Sequence, residues 1–193
     1  MMTIGPKSHR WFALILMVST AACATDSNSN ALATADAGGD AEMLNTTLPN
    51  EPIVVINEVV AKAINDPTFN PTASDWVELY NRSAKPIEMD GWKINDSKSK
   101  GADFAYPLPP GLTIPAKGFL VLFFNKDGAG SPVIGKGLSS SEALSLFDDN
   151  GQLHDLVDWK DGDAPEGKSW GRSPDGSAAF ATFSSPTPNA PNP

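Results

Sequence analysis

Two glutamates set within apolar stretches are the first candidates for chemistry. Glu58 lies in Ile53-Val54-Val55-Ile56-Asn57-Glu58-Val59-Val60, and Glu78 in Asp75-Trp76-Val77-Glu78-Leu79-Tyr80-Asn81. A pair of carboxyls in nonpolar surroundings can divide into general acid and general base. The same surroundings favour a plainer role, because a buried carboxylate needs a partner. Glu58 alternates with Val54, Ile56 and Val60, which points it inward, and Glu78 shares a strand face with Trp76 and Tyr80. Arg172, in Trp170-Gly171-Arg172, is the cation assigned to them. The expectation is a structural ion pair of Glu58 and Glu78 with Arg172 that fixes strand register.

A second group, Asp158, Asp161, Asp163 and Glu166, surrounds Gly162. Calcium takes oxygen ligands at such density, so calcium is the one cofactor these residues suggest. Their spacing departs from the EF-hand loop, and a solvated acidic loop is the preferred reading. Nucleophilic catalysis finds little support. His154 is the one base outside the N-terminal segment, no Gly-x-Ser-x-Gly elbow is present, and His154 reads as a surface or hairpin residue. Gly128-Ala129-Gly130 and Gly135-Lys136-Gly137 lack the Lys-Ser/Thr ending of a phosphate loop. With a single cysteine, Cys23, and two histidines, a zinc site is close to excluded. The expectation is that the chain is not an enzyme.

The elements that would position these residues are strands. The 193 residues include 16 Gly and 17 Pro spread along the chain, which disfavours a helical bundle. No stretch keeps a 3.6-residue apolar period. Strands are predicted at residues 53–60, 75–81, 91–95, 119–124, 143–147 and 152–159, with shorter ones near Phe104, at 169–172 and at 180–183. Asn150-Gly151 tolerates positive φ at both positions and predicts a two-residue hairpin. Trp76, Trp92, Trp159 and Trp170 are the aromatic core anchors. Strands at this spacing without interleaved helices imply an antiparallel sandwich.

Several segments in order resemble one family. Ile56-Asn57-Glu58-Val59 resembles its opening strand, Asp75 to Asn81 its "DWxELYN" strand, and Asp90-Gly91-Trp92-Lys93-Ile94-Asn95-Asp96 its "GWxLxD" strand. Pro110 to Leu122 is similar to its turn and central strand. Ser169-Trp170-Gly171-Arg172-Ser173-Pro174-Asp175-Gly176 and Pro186-Thr187-Pro188 are similar to its closing pattern, with Asn189 where that pattern often has Gly. The family is the lamin-tail domain, here of the bacterial exported type. The resemblance implies an immunoglobulin-like all-β sandwich over residues 52–190, with 191–193 as a short tail, and a recognition or scaffolding role. The segment from Ser184 onward is expected to stay extended and end the fold.

Residues 1–22 have the layout of a secretory signal: Lys7 and Arg10, an apolar run from Trp11 to Val18, then Ser19-Thr20-Ala21-Ala22. That run is too short to span a bilayer, which needs about 20 residues. Small residues directly before Cys23 resemble the bacterial lipobox. Cleavage is therefore expected between Ala22 and Cys23, with acylation of Cys23 anchoring the protein to a membrane of the cell envelope. Residues 23–51 are poor in large apolar side chains and read as a disordered tether. A coil of that length spans about 30 Å.

The formal charge is −9, and without Lys7 and Arg10 the remaining 12 cations against 23 acids leave −11. Such a surface repels phosphate backbones, so no nucleic-acid partner is expected. A protein or carbohydrate ligand is expected instead, met by a patch drawn from Phe69, Phe104, Tyr106 and Phe124. An envelope hydrolase, a calcium-dependent carbohydrate-binding module, and a structural protein pairing its own sheet edges are the rival readings.

Overall fold

A computed structural model describes residues 51–193. The expected signal peptide at 1–22, Cys23, and the tether through residue 50 lie outside the described residues. In chain order the strands are β1 (Val54–Val60), β2 (Asp75–Asn81), β3 (Ile87–Glu88), β4 (Lys93–Asn95), β5 (Tyr106–Pro107), β6 (Thr113–Ile114), β7 (Phe119–Phe124), β8 (Val133–Ile134), β9 (Glu142–Phe147), β10 (Leu153–Trp159), β11 (Ser169–Arg172) and β12 (Phe180–Phe183). The described residues contain no α-helix. A single 3-10 turn, Ala102–Phe104, stands where a short strand was expected.

The strands form an all-β immunoglobulin-like sandwich. One sheet has the order β12-β11-β1-β2-β7-β8, the other β10-β9-β4-β5, and β3 pairs with β6 as a separate ribbon. All pairings except β7 with β8 are antiparallel. Period-two burial sets the inner layer. Val77 and Leu79 of β2 and Leu122 of β7 face Ile94 of β4, Leu144 and Leu146 of β9, and Val157 and Trp159 of β10. Trp159 is fully buried and donates its indole N–H to the Ser139 carbonyl at 3.1 Å. Trp92 belongs to the same core, while Trp170 is half-buried beside it and stacks on Phe180 at 5.6 Å.

A β-bulge at Asn57 changes what β1 presents. Ile56 is opposite Leu79 but Glu58, not Asn57, is opposite Glu78. Before the bulge, Val54 and Ile56 join the main core; after it, Val59 does. Val60 instead packs on the outer side of the large sheet with Trp76, Val121 and Phe123. The simple alternation expected from the sequence therefore fails at one residue, because an extra residue in one strand reverses the faces beyond it. Glu58 is buried as expected, but on the outer face beside Glu78.

The β9–β10 turn also differs from expectation. Phe147 and Leu153 end the strands, Gly151 donates to the Asp148 carbonyl, and Asp148 donates to the Gln152 carbonyl. Gly151 has φ +75°, whereas Asn150 is not among the left-handed residues. The connection is thus a three-residue turn closed by a glycine bulge. The Asp148 carboxylate accounts for it, accepting the N–H groups of Asn150 and Gln152 at 3.0 and 2.8 Å.

Candidate functional site

The outer face of the large sheet carries the two glutamates. Glu58 and Glu78 sit directly across from one another on β1 and β2, both at 0% exposure. They are sealed by the C-terminal segment, which folds back across the sheet. Thr187 donates its N–H to both Glu58 oxygens at 3.1 and 3.2 Å, and Ser169 adds its hydroxyl. Asn189 donates its N–H to Glu78 at 2.6 Å. The expected extended end is therefore wrong. Asn192 is buried too, bonding the Arg172 carbonyl at 2.8 Å, so the packed structure runs two residues beyond 190. Asn189 makes the final turn with φ +58°, a conformation Asn tolerates where the family pattern often has Gly.

Arg172 does not pair with either glutamate, contrary to expectation. It lies on β11 with its guanidinium turned to the other side of the sheet, where Nη2 meets both oxygens of Asp155 at 3.1 and 3.0 Å. Nε donates to the Ile56 carbonyl at 2.9 Å, and the charge lies 4.6 Å over the Phe180 ring. Asp155 in turn accepts the Ile56 N–H at 2.7 Å. The physical reason lies in the pairing of β1. Strand β11 meets β1 at Glu58 and Val59, so the backbone at Ile56 takes its partners from side chains of β10 and β11. Asp155 comes from one sheet and Arg172 from the other, making the pair a clasp between layers. His154 adds to it: its Nε2 accepts the Val54 N–H at 3.2 Å while the ring packs edge-on against Trp92 at 4.7 Å. It is a half-buried structural residue rather than a surface one.

Among the described residues, neither glutamate is ion-paired to a cation. Burial raises the Glu58 carboxyl above its ordinary range, and the bonds from Ser169 and Thr187 offset part of this. Burial pushes Glu78 up to about 8, with the Glu58 charge adding to it against the bond from Asn189. A carboxyl held neutral in this way is a possible acid in an open cleft. Here it is covered by the main chain at Asn189 and is fully buried.

The acidic loop does not assemble. Asp158 pairs with Lys98 at 2.7 Å, Asp161 with Lys62 at 3.6 Å, and Asp163 caps the Lys160 N–H at 2.8 Å. Glu166 is exposed. Among the described residues no three His, Cys, Asp or Glu side chains are grouped to hold a metal ion. The aromatic patch also separates. Phe124 is core, Phe69 covers Trp76 edge-on at 5.8 Å, Tyr106 packs against the main core, and Phe104 stands alone at 71% exposure.

Two surface concavities stand out among the described residues. An apolar groove of about 290 Å³ runs between the 61–70 loop and Pro186 and Pro188, floored by Trp76 and Phe69. A polar cleft of about 520 Å³ opens where the chain enters the domain, between Glu51–Ile53, Tyr80, Arg82, Lys117 and the Asp175–Ser177 turn. Sequence reasoning missed both. Their residues come from segments far apart in the chain, and the one local signal was the strand-terminal pair Asn81-Arg82 before a turn.

No curated protein matches the chain in sequence. Residues 47–161 match the sequence profile of the Lamin Tail Domain, covering β1 to β10, while β11, β12 and the covering tail lie beyond the match. With more than half of its length in that match and a two-layer β-sandwich built on those strands, the chain belongs to the lamin tail domain family.

Proposed function

We propose that the chain is a non-catalytic interaction module, displayed on a bacterial envelope by an acyl group on Cys23 and carried on the segment that follows. The observation that carries the first half is the sealing of Glu58 and Glu78. The carboxyls best tuned for proton transfer are bonded to Thr187 and Asn189 main chain and line neither of the two surface concavities described above. The anchoring half is supported by the run of residues 11–23, an apolar core leading through small residues into a lone cysteine. The large negative charge favours a protein or carbohydrate ligand over nucleic acid.

The test uses cells expressing the full chain in the presence of radiolabelled palmitate. Label is expected on the wild-type protein and absent from Cys23→Ser. An unlabelled wild-type chain would end the anchoring proposal. Hydrolysis of envelope polysaccharide or protein by the purified chain, lost in Glu78→Gln, would end the non-catalytic one.

A further inference from the structure

We propose that residues 184–193 are a proton-controlled strap, closed over the large sheet while Glu78 or Glu58 is protonated and opening ahead of the rest of the domain when both lose their protons. This goes beyond the interaction-module reading and does not depend on it.

The way the strap is attached makes separate opening cheap. It carries four prolines in ten residues, adds no strand, and has Asn192 as its one buried residue. Three of its main-chain N–H groups reach the rest of the domain, and each ends on a carboxylate. Thr187 donates to Glu58, Asn189 to Glu78, and Asn192 to Asp175 at 3.0 Å. Side chains add the Thr187 hydroxyl on Glu58 and the Asn192 amide on the Arg172 and Asn57 carbonyls. At the far end the Ser173 hydroxyl donates to Pro193. A segment that buries so little apolar surface belongs to the low end of local stability, so the sheets need not separate for it to lift.

The groups beneath it repel one another. Glu58 of β1 stands directly opposite Glu78 of β2, and the Asn57 amide bridges Glu78 to Asp175 at 3.5 and 2.9 Å. From β11 comes the uncharged Ser169 hydroxyl, and β7 places Val121 opposite Glu78. Among the described residues none of the three acids is ion-paired to a cation. With the strap closed, a charge on Glu78 stands out of water beside the charge on Glu58. With it open, both are solvated. Burial accordingly raises both carboxyls, Glu78 to about 8, and links opening to proton release. The closed form is favoured on the acid side and loses ground as pH rises from about 4.5 towards 8, by up to about tenfold per unit.

Opening also changes the surface. Pro186 and Pro188, on either side of Thr187, line the apolar groove together with Trp76. The groove is complete only while the strap is closed, so its shape follows the proton count of two carboxyls that do not line it.

The test is amide hydrogen exchange of the full chain by NMR from pH 5 to 8.5, expressed as protection factors so that base catalysis of exchange drops out. Protection at Thr187, Asn189 and Asn192 is expected to fall about a thousandfold between pH 5 and 8. Above pH 6 it should lie at least about tenfold below that of Val77 and Leu79 in β2. Glu78→Gln should flatten most of the fall, and Glu58→Gln should reduce it. Equal protection of the strap and β2 at every pH overturns the proposal, because the strap then opens only with the whole domain. Strap protection that does not change with pH overturns it too, as does a Glu78→Gln chain that loosens as steeply as the wild type. Should either variant fail to fold, the wild-type comparison of strap with β2 decides alone.

Discussion

Replacing Glu78 with Gln removes a buried titratable group with little change in side-chain size, and the structure fixes both the sign and the pH window of the effect. In the unfolded chain the carboxyl titrates near 4.5, whereas in the folded protein burial and the neighbouring Glu58 hold its proton up to about 8. Between these values the folded state carries one more proton than the unfolded one. Stability is therefore greatest on the acid side and falls as pH rises, by about 1.36 kcal/mol per unit. From pH 5 to pH 8 the loss attributable to Glu78 is about 4 kcal/mol, or roughly 10 °C in Tm for a domain of this size. Gln keeps an acceptor for the Asn189 N–H and has no proton to lose, so the variant lacks this slope. It should match the wild type near pH 5 and exceed it at pH 8. Urea unfolding followed by tryptophan fluorescence at half-unit intervals from pH 5 to 8.5 measures the difference. Groups not coupled to Glu78 cancel in that difference, among them His154, whose pKa burial lowers and whose contribution is lost on the acid side. A wild-type-minus-variant curve that stays within about 1 kcal/mol across the range refutes the reasoning. A variant that is much weaker at every pH would revive the ion pair that the structure replaces.

The clasp between layers gives the largest mutational cost. Arg172→Met leaves Asp155 buried without its cation, and a loss of about 3–5 kcal/mol in urea unfolding is expected. Gly171→Ala would place a methyl group 2.7 Å from the Phe183 ring, 3.0 Å from Asn192 Nδ2 and 3.1 Å from the Asn57 carbonyl. About 1–3 kcal/mol of stability should be lost, and limited proteolysis should find the segment after Phe183 newly cleavable. At Asn189 the left-handed backbone predicts that Gly is tolerated within about 0.5 kcal/mol while Val costs about 1 kcal/mol or more; thermal melts of the two variants check the order.

The strands were legible because this family of folds writes them in local terms. Alternation in Asp75 to Asn81 places that strand at its observed bounds, and β-branched density in Ile53 to Val60 places the first strand within one residue of the observed Val54–Val60. Of the four expected core tryptophans, Trp92 and Trp159 lie in the main core, whereas Trp170 is half-buried at its edge and Trp76 is buried in a separate cluster on the outer face of the large sheet. The electrostatics were not legible. Arg172 and Asp155 are 17 residues apart and on opposite layers, and no local pattern distinguishes Asp155 from its exposed neighbour Asp158. The bulge at Asn57 carries no Gly or Pro to announce it, yet it decides which face Glu58 takes. The short pairs β3–β6 and β7–β8 were missed because two-residue strands leave no period to read. The polar cleft was hidden because it is assembled from chain entry, strand end and two turns.

The closing segment has a kinetic consequence. Thr187 meets Glu58 across 129 residues, and β11, laid beside β1, also comes from late in the chain. Strands β1, β2 and β7 can pair in sequence order, but the β11–β12 edge and the cover over the two glutamates wait for the C-terminal residues. Loop closure on this scale precedes the contacts that reward it, and folding rates fall accordingly. The cover over Glu58 and Glu78 is therefore among the last parts of the domain to close on refolding.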